Sequence, residues 1–327
     1  MSPPTPKQRP PRTFRAAALL LSLAAVTATE LTLHAVAPIA GTRSELYPLH
    51  GARGARHLSE RMDLGAFLDA AWTLIERDRD RGWRVRASLN LEASSLSLNE
   101  TPTVWRVRTN ARGWRHPDDD APAGGVVALG DSSVFGWGVN DDEAWPRLLG
   151  RPAVNLGVPG YSSAQGLRQA REALPGLDPV VLALSYGAND GHFTPSTDEA
   201  LLSARDTAVG GLAWRLSGLQ LVSRIRDGLY PYRMRQLEQQ YAEQGLTLRV
   251  APDRYADNLK AIAALAPRAR VVLVDICARH EYRHIMSTLA VSEGWPLVEY
   301  RGDTLDGCHP TPEGHEQLAR SIEAAAR

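Results

Sequence analysis

The chain of 327 residues has little of what marks several common classes of protein. It contains only two cysteines, Cys277 and Cys308, which are too few for a disulfide-rich scaffold and lack the spacing of a metal site. Its 37 basic residues equal its 37 acidic residues, so no positive surplus points to a nucleic-acid partner. Hydrophobic residues, in contrast, make up 43% of the sequence, which provides for a large core and excludes a mostly disordered chain.

The N-terminus joins positive charge to an apolar run. Residues 16–29 are apolar, and a less regular apolar stretch continues to residue 37. Four basic residues precede this run: Lys7, Arg9, Arg12 and Arg15. This pattern is typical of a signal peptide or a signal anchor. A run of about 22 residues is also long enough to cross a bilayer at about 1.5 Å per residue. We therefore expect export, with residues 1–38 as the segment that enters the membrane.

The sequence leaves open whether this segment is retained or removed. Ala35-Val36-Ala37 has the small residues of a cleavage site. Glu30 interrupts the apolar run, yet it lies towards the outer end of a span, where a charge costs less than at the midplane. A membrane-anchored protein with its other domains periplasmic or extracellular is the favoured expectation. A secreted protein and a buried N-terminal helix are the alternatives.

Residues 39–120 predict a small α+β region, a cap beside the main domain. Helical spacing of apolar residues predicts a helix over residues 60–79. Residues 88–107 alternate as strands do, and the change of parity at Ser94-Ser95 predicts a break between two short strands. A third strand is expected at Val104, Trp105 and Val107. A segment rich in Asp, Pro and Gly over residues 117–125 is interpreted as a linker.

From residue 121 onwards, short apolar runs alternate with helical patterns. Continuous apolar runs are typical of strands covered on both faces, so the alternation predicts a doubly wound α/β fold with a parallel sheet. Its ligand site should lie beyond the carboxyl ends of the strands. The predicted strands are residues 126–129, 153–156, 180–184, 271–276 and 297–300. The predicted helices are residues 143–149, 164–174, 254–265, 279–293 and 312–326, the last with Thr311 as N-cap and Pro312 in the first helical position.

One segment departs from this alternation. About 85 residues separate the third and fourth predicted strands, far more than a normal crossover needs. Apolar residues at helical spacing predict a helix over residues 214–244. We interpret residues 193–250 as a helical insertion in a domain that spans residues 121–327. A lid over the ligand site and an extra structural layer are equally compatible with the spacing.

A short polar motif, Gly130-Asp131-Ser132, directly follows the first predicted strand. A serine here lies beside a turn that glycine permits, and its hydroxyl would point into the ligand crevice. Its backbone N–H begins a helix, where free donors and the helix dipole favour an anion. The motif suits a nucleophile that also helps to hold an oxyanion, although the same three residues occur in ordinary turns.

Three further motifs stand in order along the chain, at strand ends or before the last helix. They are Asn155-Leu156-Gly157-Val158-Pro159-Gly160-Tyr161-Ser162, Gly187-Ala188-Asn189-Asp190 and Asp306-Gly307-Cys308-His309-Pro310. Together with Gly130-Asp131-Ser132, they resemble the motif blocks of the SGNH hydrolases, the GDSL-type lipases and esterases, over residues 125–326. The resemblance implies a three-layer α/β/α sandwich with five parallel strands in flavodoxin-like order, which agrees with the five strands predicted above.

The resemblance also implies a role for five residues. Ser132 is the expected nucleophile, His309 the general base and Asp306 the carboxylate that orients it. The backbone N–H groups of Ser132 and Gly160 and the side-chain amide of Asn189 are the expected oxyanion donors. The chemistry agrees, because a serine needs a base and imidazole acts as one near neutral pH when a carboxylate fixes its tautomer. No metal or cofactor is expected.

The implied activity is hydrolysis of an ester through an acyl-enzyme on Ser132. Export makes O-acyl esters, such as O-acetyl groups on envelope or extracellular glycans, the expected substrates, with lipids as the second choice. Two alternatives stay open: an O-acyltransferase that uses the same site, and a glycan-binding module without catalysis.

Several neighbouring residues carry secondary predictions. Asp131 and Asp190 are expected to orient loops by hydrogen bonds. If the protein is exported, Cys277 and Cys308 could form a disulfide that tethers the loop of His309, although two buried thiols are slightly favoured.

Two histidines and one upstream segment complete the set. His192 is a candidate substrate contact, and His315 is interpreted as an ordinary residue of the last helix. In the segment of residues 108–115, Trp114 and Arg115 are expected to dock the cap on the main domain.

Overall fold

The computed structural model describes residues 12–42, 45, 71–96, 102–115, 124–245 and 247–327. Its first element, helix α1 (Arg12–Val36), has side chains that are almost all exposed from Ala16 onwards. The stretch Ala16–Val36 is long and apolar enough to cross a membrane, by length and composition alone. Lys7, Arg9 and most of the predicted linker lie outside the described residues.

Two antiparallel pairs of strands follow in the described part of the chain. Strand β1 (Ile75–Asp78) pairs with β2 (Gly82–Val85), and β3 (Asn90–Leu96) pairs with β4 (Pro102–Arg108). Both pairs belong to the predicted cap region.

The helix predicted over residues 60–79 is wrong at its C-terminal end. Residues 71–74 are helical, but the chain then enters β1, and residues 60–70 lie outside the described part. Ile75 is buried opposite Val85, and Arg77 stands opposite Trp83 in the ladder. This cross-strand pairing outweighs the helical spacing of the apolar residues, because spacing does not specify the partner that covers them.

The predicted break at Ser94-Ser95 is also wrong, since β3 is continuous. Ser94 pairs with Val104 and Ser95 with Thr103. The hydrogen bonds between strands are made by backbone groups, so two small polar side chains alter the alternation of apolar side chains without interrupting the strand.

A five-stranded parallel sheet forms the centre of the remaining chain. Its strands are β5 (Val126–Gly130), β6 (Ala153–Gly157), β7 (Val181–Ser185), β10 (Arg270–Asp275) and β11 (Leu297–Glu299). Their spatial order β11-β10-β7-β5-β6 confirms the predicted flavodoxin-like order. Gly130 of β5 pairs with both Gly157 of β6 and Ser185 of β7, so the carboxyl ends of these three neighbouring strands lie level.

Helices cover both faces of this sheet, as predicted. The helices are α2 (Ser132–Phe135), α3 (Trp145–Leu148), α4 (Ser163–Ala173), α9 (Pro252–Ala264), α10 (His280–Glu293) and α11 (Pro312–Ala325). Val127 and Leu129 of β5 belong to the apolar core beneath α4, α9 and α10, whereas Val126 and Ala128 pack with α3 and α11. Thr311 caps α11 as expected, because its hydroxyl accepts the Gly314 N–H at 3.2 Å.

The insertion contains four helices between two short paired strands. They are β8 (Phe193–Thr194), α5 (Asp198–Asp206), α6 (Ala208–Leu216), α7 (Gln220–Gly228), α8 (Tyr230–Gln244) and β9 (Thr247–Leu248). The single helix predicted over residues 214–244 is therefore divided among α6, α7 and α8. Gly218 and Pro231 lie where these helices separate, as expected of residues that weaken or begin helices.

Candidate active site

Three of the predicted site residues form a chain of hydrogen bonds at the carboxyl edge of the sheet. The Ser132 Oγ lies 2.7 Å from the His309 Nε2, and the His309 Nδ1 lies 2.6 Å from the Asp306 Oδ2. Ser132 is the first residue of α2, and the other two lie in the loop before α11. The structure thus brings together residues that are 177 positions apart.

Close backbone packing positions Ser132. The structure leaves no room for a side chain at Gly157, where a Cβ would lie 2.1 Å from the Phe135 backbone nitrogen. Asn155 supports the same contact, because its side-chain amide donates to the Val134 carbonyl at 2.8 Å. Asp131 caps α2 by accepting the Ser133 N–H at 2.9 Å. Strand β6 therefore holds the helix that begins with the serine.

Arg115 fastens the other end of α2 to the cap region. This guanidinium is fully buried and donates to the carbonyl oxygens of Phe135 at 2.6 Å, Val139 at 2.6 Å and Gly136. It also reaches the Arg106 carbonyl of β4 at 3.1 Å, which confirms the docking role predicted for Arg115. Burial lowers the pKa of Arg115 to about 10, against the opposing effect of Asp141.

Two of the predicted oxyanion donors, Asn189 and Gly160, lie at buried positions in the loops after β7 and β6. Asn189 is buried, and its Nδ2 donates to the Asp131 Oδ2 at 3.0 Å, so the carboxylate that caps α2 also orients this amide. Gly160 lies in a turn with a φ of 77°, a conformation that glycine adopts readily. Burial raises the pKa of Asp131, and its hydrogen bonds with Ser133 and Asn189 oppose that rise.

Asp190 ties together the two loops that carry Gly160 and Asn189. Its Oδ1 accepts the Ser163 N–H at 2.8 Å, and its Oδ2 accepts the Gly187 N–H at 3.0 Å. Burial raises the pKa of Asp190 to about 6, while these donors act in the opposite direction. The loop-orienting role that the sequence predicts for both aspartates is confirmed.

A second buried arginine, which sequence reasoning missed, supports the Gly160 loop. The Nη1 of Arg249 donates to the Gly160 carbonyl at 2.8 Å, and its Nη2 donates to Asp198 at 2.7 Å and to Gln165 at 2.6 Å. Arg249 lies near the end of the insertion and Asp198 begins α5, so the insertion contributes to the position of a predicted oxyanion donor. A lone arginine beyond the motifs carries no signal of this role in the sequence.

The loop that bears the base is held by its own hydrogen bonds and by a disulfide. The Asp306 Oδ1 accepts the backbone N–H groups of Cys308 at 3.1 Å and His309 at 2.9 Å. Burial acts to raise the pKa of Asp306, but the hydrogen bonds and charge of His309 outweigh it and lower the pKa to about 2. Cys308 is bonded to Cys277 at the end of β10, with Cα atoms 5.2 Å apart. The slightly favoured prediction of two free thiols is therefore wrong, because the fold brings the two strand-end loops together.

Other aromatic and histidine side chains differ in their relation to the site. The ring of Trp137, which sequence reasoning missed, is 6.2 Å from that of His309. His315 of α11 is buried, and its Nδ1 accepts the backbone N–H of Trp145 at 3.2 Å, as expected of an ordinary helix residue. The His192 backbone bonds with Asn189 and Arg249, and the substrate contact predicted for its side chain stays a prediction.

The arrangement combines a hydroxyl, an imidazole and a carboxylate with nearby donors. Among the residues that the structure describes, no three His, Cys, Asp or Glu side chains are grouped so that they could hold a metal ion. The geometry suits nucleophilic attack by Ser132 on an acyl carbon, with proton transfer to His309.

Comparison with known proteins agrees with this geometry. Residues 128–317, more than half of the chain, match the GDSL-like lipase/acylhydrolase family. Similar solved structures include a GDSL-like lipase from Bacteroides thetaiotaomicron, with 19% identity and a TM-score of 0.38 over 63% of this chain and 91% of that one. A lipase/acylhydrolase from Enterococcus faecalis has 14% identity and a TM-score of 0.39 over 61% of this chain and 93% of that one. A comparison with curated proteins found no match. On the family match, the chain belongs to the GDSL-like lipase/acylhydrolase family and is an ester-bond hydrolase.

Proposed function

We propose that the protein cleaves O-acyl esters through an acyl-enzyme on Ser132. The observation that carries the proposal is the unbroken series of hydrogen bonds from Ser132 through His309 to Asp306, with distances of 2.7 and 2.6 Å. Serine becomes an effective nucleophile when a base removes its proton, and an oriented imidazole is the usual base.

The reaction has two steps. In the first, the Ser132 Oγ bonds to the acyl carbon while its proton passes to the His309 Nε2. The oxyanion is held by the Ser132 and Gly160 N–H groups and the Asn189 amide until the alcohol leaves with the proton from His309. In the second step, water attacks the acyl carbon while His309 takes a proton from the water. The bond from the acyl carbon to the Ser132 Oγ then breaks, His309 returns the proton to Oγ, and the carboxylic acid leaves.

Asp306 keeps the imidazole in the required tautomer and stabilises its charged form. With a pKa lowered to about 2, this carboxylate stays ionised over the whole working range of an ester hydrolase. The negative charge is therefore present whenever His309 accepts a proton.

The proposed substrates are O-acetyl or other O-acyl esters of envelope or extracellular glycans, with lipid esters as the second class. Trp137 supports an alcohol with an apolar face, because its half-buried ring lies beside His309, the group that protonates the leaving alcohol. Helix α1, as a membrane anchor, would keep the domain outside the cytoplasm near such esters.

Contacts of α1 with the rest of the chain support an anchor that is retained. The Glu30 carboxylate accepts the backbone N–H groups of Gln220 at 2.6 Å and Leu221 at 3.0 Å. Cleavage after Ala37 would remove Glu30 and leave these donors at the start of α7 without their acceptor.

Labelling with a fluorophosphonate probe tests the proposed nucleophile. We expect the probe to modify Ser132 in the folded protein, and Ser132→Ala to lose both the label and about 10⁶-fold of kcat. Ser287→Ala, a serine on α10 away from the site, is the matched control and should keep both. Labelling of Ser132→Ala at the wild-type level would overturn the mechanism.

A substrate series then identifies the ester. Initial rates on p-nitrophenyl esters of increasing acyl length, measured beside O-acetylated glycans, should favour acetyl over long chains. A preference for long chains would replace the glycan proposal with the lipid one. Transfer of the acyl group to an added glycan, in place of release as free acid, would replace hydrolysis with acyl transfer.

A further inference from the structure

Helix α7 of the insertion exposes its apolar side and buries its polar side. Gln220 and Ser223 are only 6% and 2% exposed, whereas Ile225 and Leu229 are 55% and 50% exposed. A helix on the surface of a water-soluble domain normally has the reverse arrangement, with its apolar stripe towards the core. The orientation of α7 therefore favours an apolar surrounding on its outer side.

Helix α6, which precedes α7 in the insertion, also has exposed apolar residues on one side. Its inner side is formed by Trp214, whose ring lies between the guanidinium groups of Arg77 and Arg205, each 4.2 Å away. On the opposite side, Val209 and Leu212 are 81% and 56% exposed. We call the whole set the apolar face of the insertion; it comprises Val209, Leu212, Leu216, Ile225, Leu229 and Tyr232.

Helix α1 is joined to this same part of the insertion. Besides the two N–H groups that bind Glu30, the Gln220 side chain accepts the Ile39 N–H at 2.8 Å and donates to the Ile39 carbonyl at 3.1 Å. Arg224 donates to the Ala37 carbonyl. The start of α7 is thus attached to the outer end of the segment that is apolar enough to span a membrane.

These hydrogen bonds set the depth of α7. Glu30 lies six residues before Val36, the end of the apolar stretch, which corresponds to about 9 Å along a helix. The hydrocarbon core is about 30 Å thick, a length that about 20 helical residues match. If Ala16–Val36 crosses it, the start of α7 lies within about 9 Å of the outer boundary of that core.

The charge of this segment suits a phospholipid surface. Residues 208–236 contain five arginines and only one acidic residue, Asp227. Arg215, Arg233 and Arg235 are exposed around the apolar face. A basic rim around an apolar stripe is the composition of helices that lie in the plane of a membrane interface, where anionic headgroups attract the arginines.

We propose that the apolar face of the insertion rests in the outer interface of a bilayer that contains anionic phospholipid, beside α1. The insertion is then a membrane-seated platform that holds the catalytic domain at the surface. This inference rests on the anchoring part of the proposed function, and it is independent of the substrate.

Site-specific labels on the full chain test the platform. The variants Leu212→Cys and Ile225→Cys each carry one new thiol for an environment-sensitive dye, since Cys277 and Cys308 are bonded to each other. Val291→Cys is the matched control, because Val291 is 86% exposed on α10. Each protein is reconstituted into vesicles of phosphatidylcholine and phosphatidylglycerol, with and without nitroxide-bearing lipid.

We expect the dyes at 212 and 225 to shift to the blue and to lose more than about half of their emission to the nitroxide lipid, because interfacial helices sink about 5–10 Å into the headgroup boundary. The dye at 291 should change little. Quenching should weaken when phosphatidylcholine replaces the anionic lipid.

The remaining outcomes separate the two proposals. Failure of the protein to float with the vesicles would overturn the anchor and the platform together. If the protein floats and hydrolyses p-nitrophenyl acetate, but the dyes at 212 and 225 behave as at 291, the platform is wrong and the anchored hydrolase stands. A blue shift without nitroxide quenching would indicate a second copy or another protein on the face, and would equally overturn the bilayer contact.

Discussion

The two halves of the candidate site are held in place in different ways. Ser132 begins a helix that is packed between a buried strand and a buried arginine, and the neighbouring Ser133, Val134 and Phe135 are all buried. Asp306 and His309, in contrast, lie in a partly exposed loop outside the regular strands and helices. Dense packing positions the proposed nucleophile, whereas local hydrogen bonds and one covalent link position the proposed base.

The difference shows what each half requires. Packing positions the serine and its donors through many small contacts, so the remaining contacts still hold them when one contact is removed. The loop that carries His309 is held by fewer contacts, so removing one of them should change its geometry more. Its geometry depends on Asp306, on the Leu305 N–H bond to the His309 carbonyl at 2.7 Å, and on the disulfide.

Among the changes that compare how the two halves are supported, the largest effect is expected from Asp306→Asn on the loop side. The Oδ1 of asparagine can still accept the Cys308 and His309 N–H groups, so the loop should keep its shape. The amide nitrogen would face the His309 Nδ1 and favour the wrong tautomer, so kcat should fall by about 10⁴-fold. Steady-state kinetics measures the loss, and an unchanged melting temperature is the control. A fall of less than tenfold would contradict the assigned role.

Removal of the disulfide tests the covalent support of the same loop. The bond closes a segment with a sequence separation of 31, so Cys277→Ser with Cys308→Ser should lower the free energy of unfolding by about 3–4 kcal/mol. Urea unfolding of the oxidised wild type and the double variant measures this difference. A reductant should destabilise the wild type but leave the variant unchanged. Equal stability of the two proteins would show that hydrogen bonds alone hold the loop.

On the nucleophile side, Asn189→Ala removes one proposed oxyanion donor. We expect kcat to fall by about 10²- to 10³-fold with little change in KM, because the amide acts mainly on the charge of the transition state. The variant also takes a donor from the buried Asp131, so thermal unfolding must be followed in parallel. An increase in KM with unchanged kcat would assign Asn189 to substrate binding instead.

The smallest effect concerns pH and the buried His315 of α11. Burial, and to a lesser degree the charges of Arg115 and His309, lower the pKa of His315 from 6.5 to about 3. The unfolded state then binds more protons than the folded state between these values, so stability is full above about pH 6.5 and declines as the pH falls towards 3. The expected loss between pH 7 and pH 5 is about 2 kcal/mol.

His315→Asn should remove this part of the acid sensitivity. In the variant, the asparagine oxygen can accept the hydrogen bond that the backbone N–H of Trp145 donates to the His315 imidazole in the wild type. Unfolding in urea at several pH values should give a flatter profile for the variant than for the wild type. Parallel profiles would mean that His315 contributes nothing to the pH dependence.

Much of the hydrolase domain could be predicted, because its signals are local. Val126 to Leu129 form an uninterrupted apolar run, and a strand covered on both faces has this composition. Thr311 and Pro312 begin α11 by the same capping rules that predicted it. Asp306 and His309 stand in one short motif, so the resemblance to the SGNH hydrolases could assign the carboxylate to the imidazole before the fold was known.

The features that were missed or wrong depend on residues far apart in the chain. Ile75 belongs to a stretch with helical spacing of apolar residues, but in the structure it pairs with Val85. The spacing of residues within one segment does not predict which other segment will pair with it. Arg249 and Arg115 act on carbonyl groups that are distant in sequence, where a single arginine looks like any surface charge. The two cysteines are 31 residues apart in the sequence, and they form a disulfide because the fold brings their two loops into contact.

The sequence by itself determined the order of the strands and helices, the motif residues at the strand ends, and hence the proposed chemistry on Ser132. The tertiary structure alone decided how α7 is turned, with Ile225 and Leu229 outward and Ser223 inward. The physical reason is that the spacing of apolar residues along the sequence predicts which residues lie on the same side of a helix. Whether that side faces the core or the outside depends on how the helix packs against the rest of the protein. In this protein, that distinction separates a helix of the core from one that we place on a membrane.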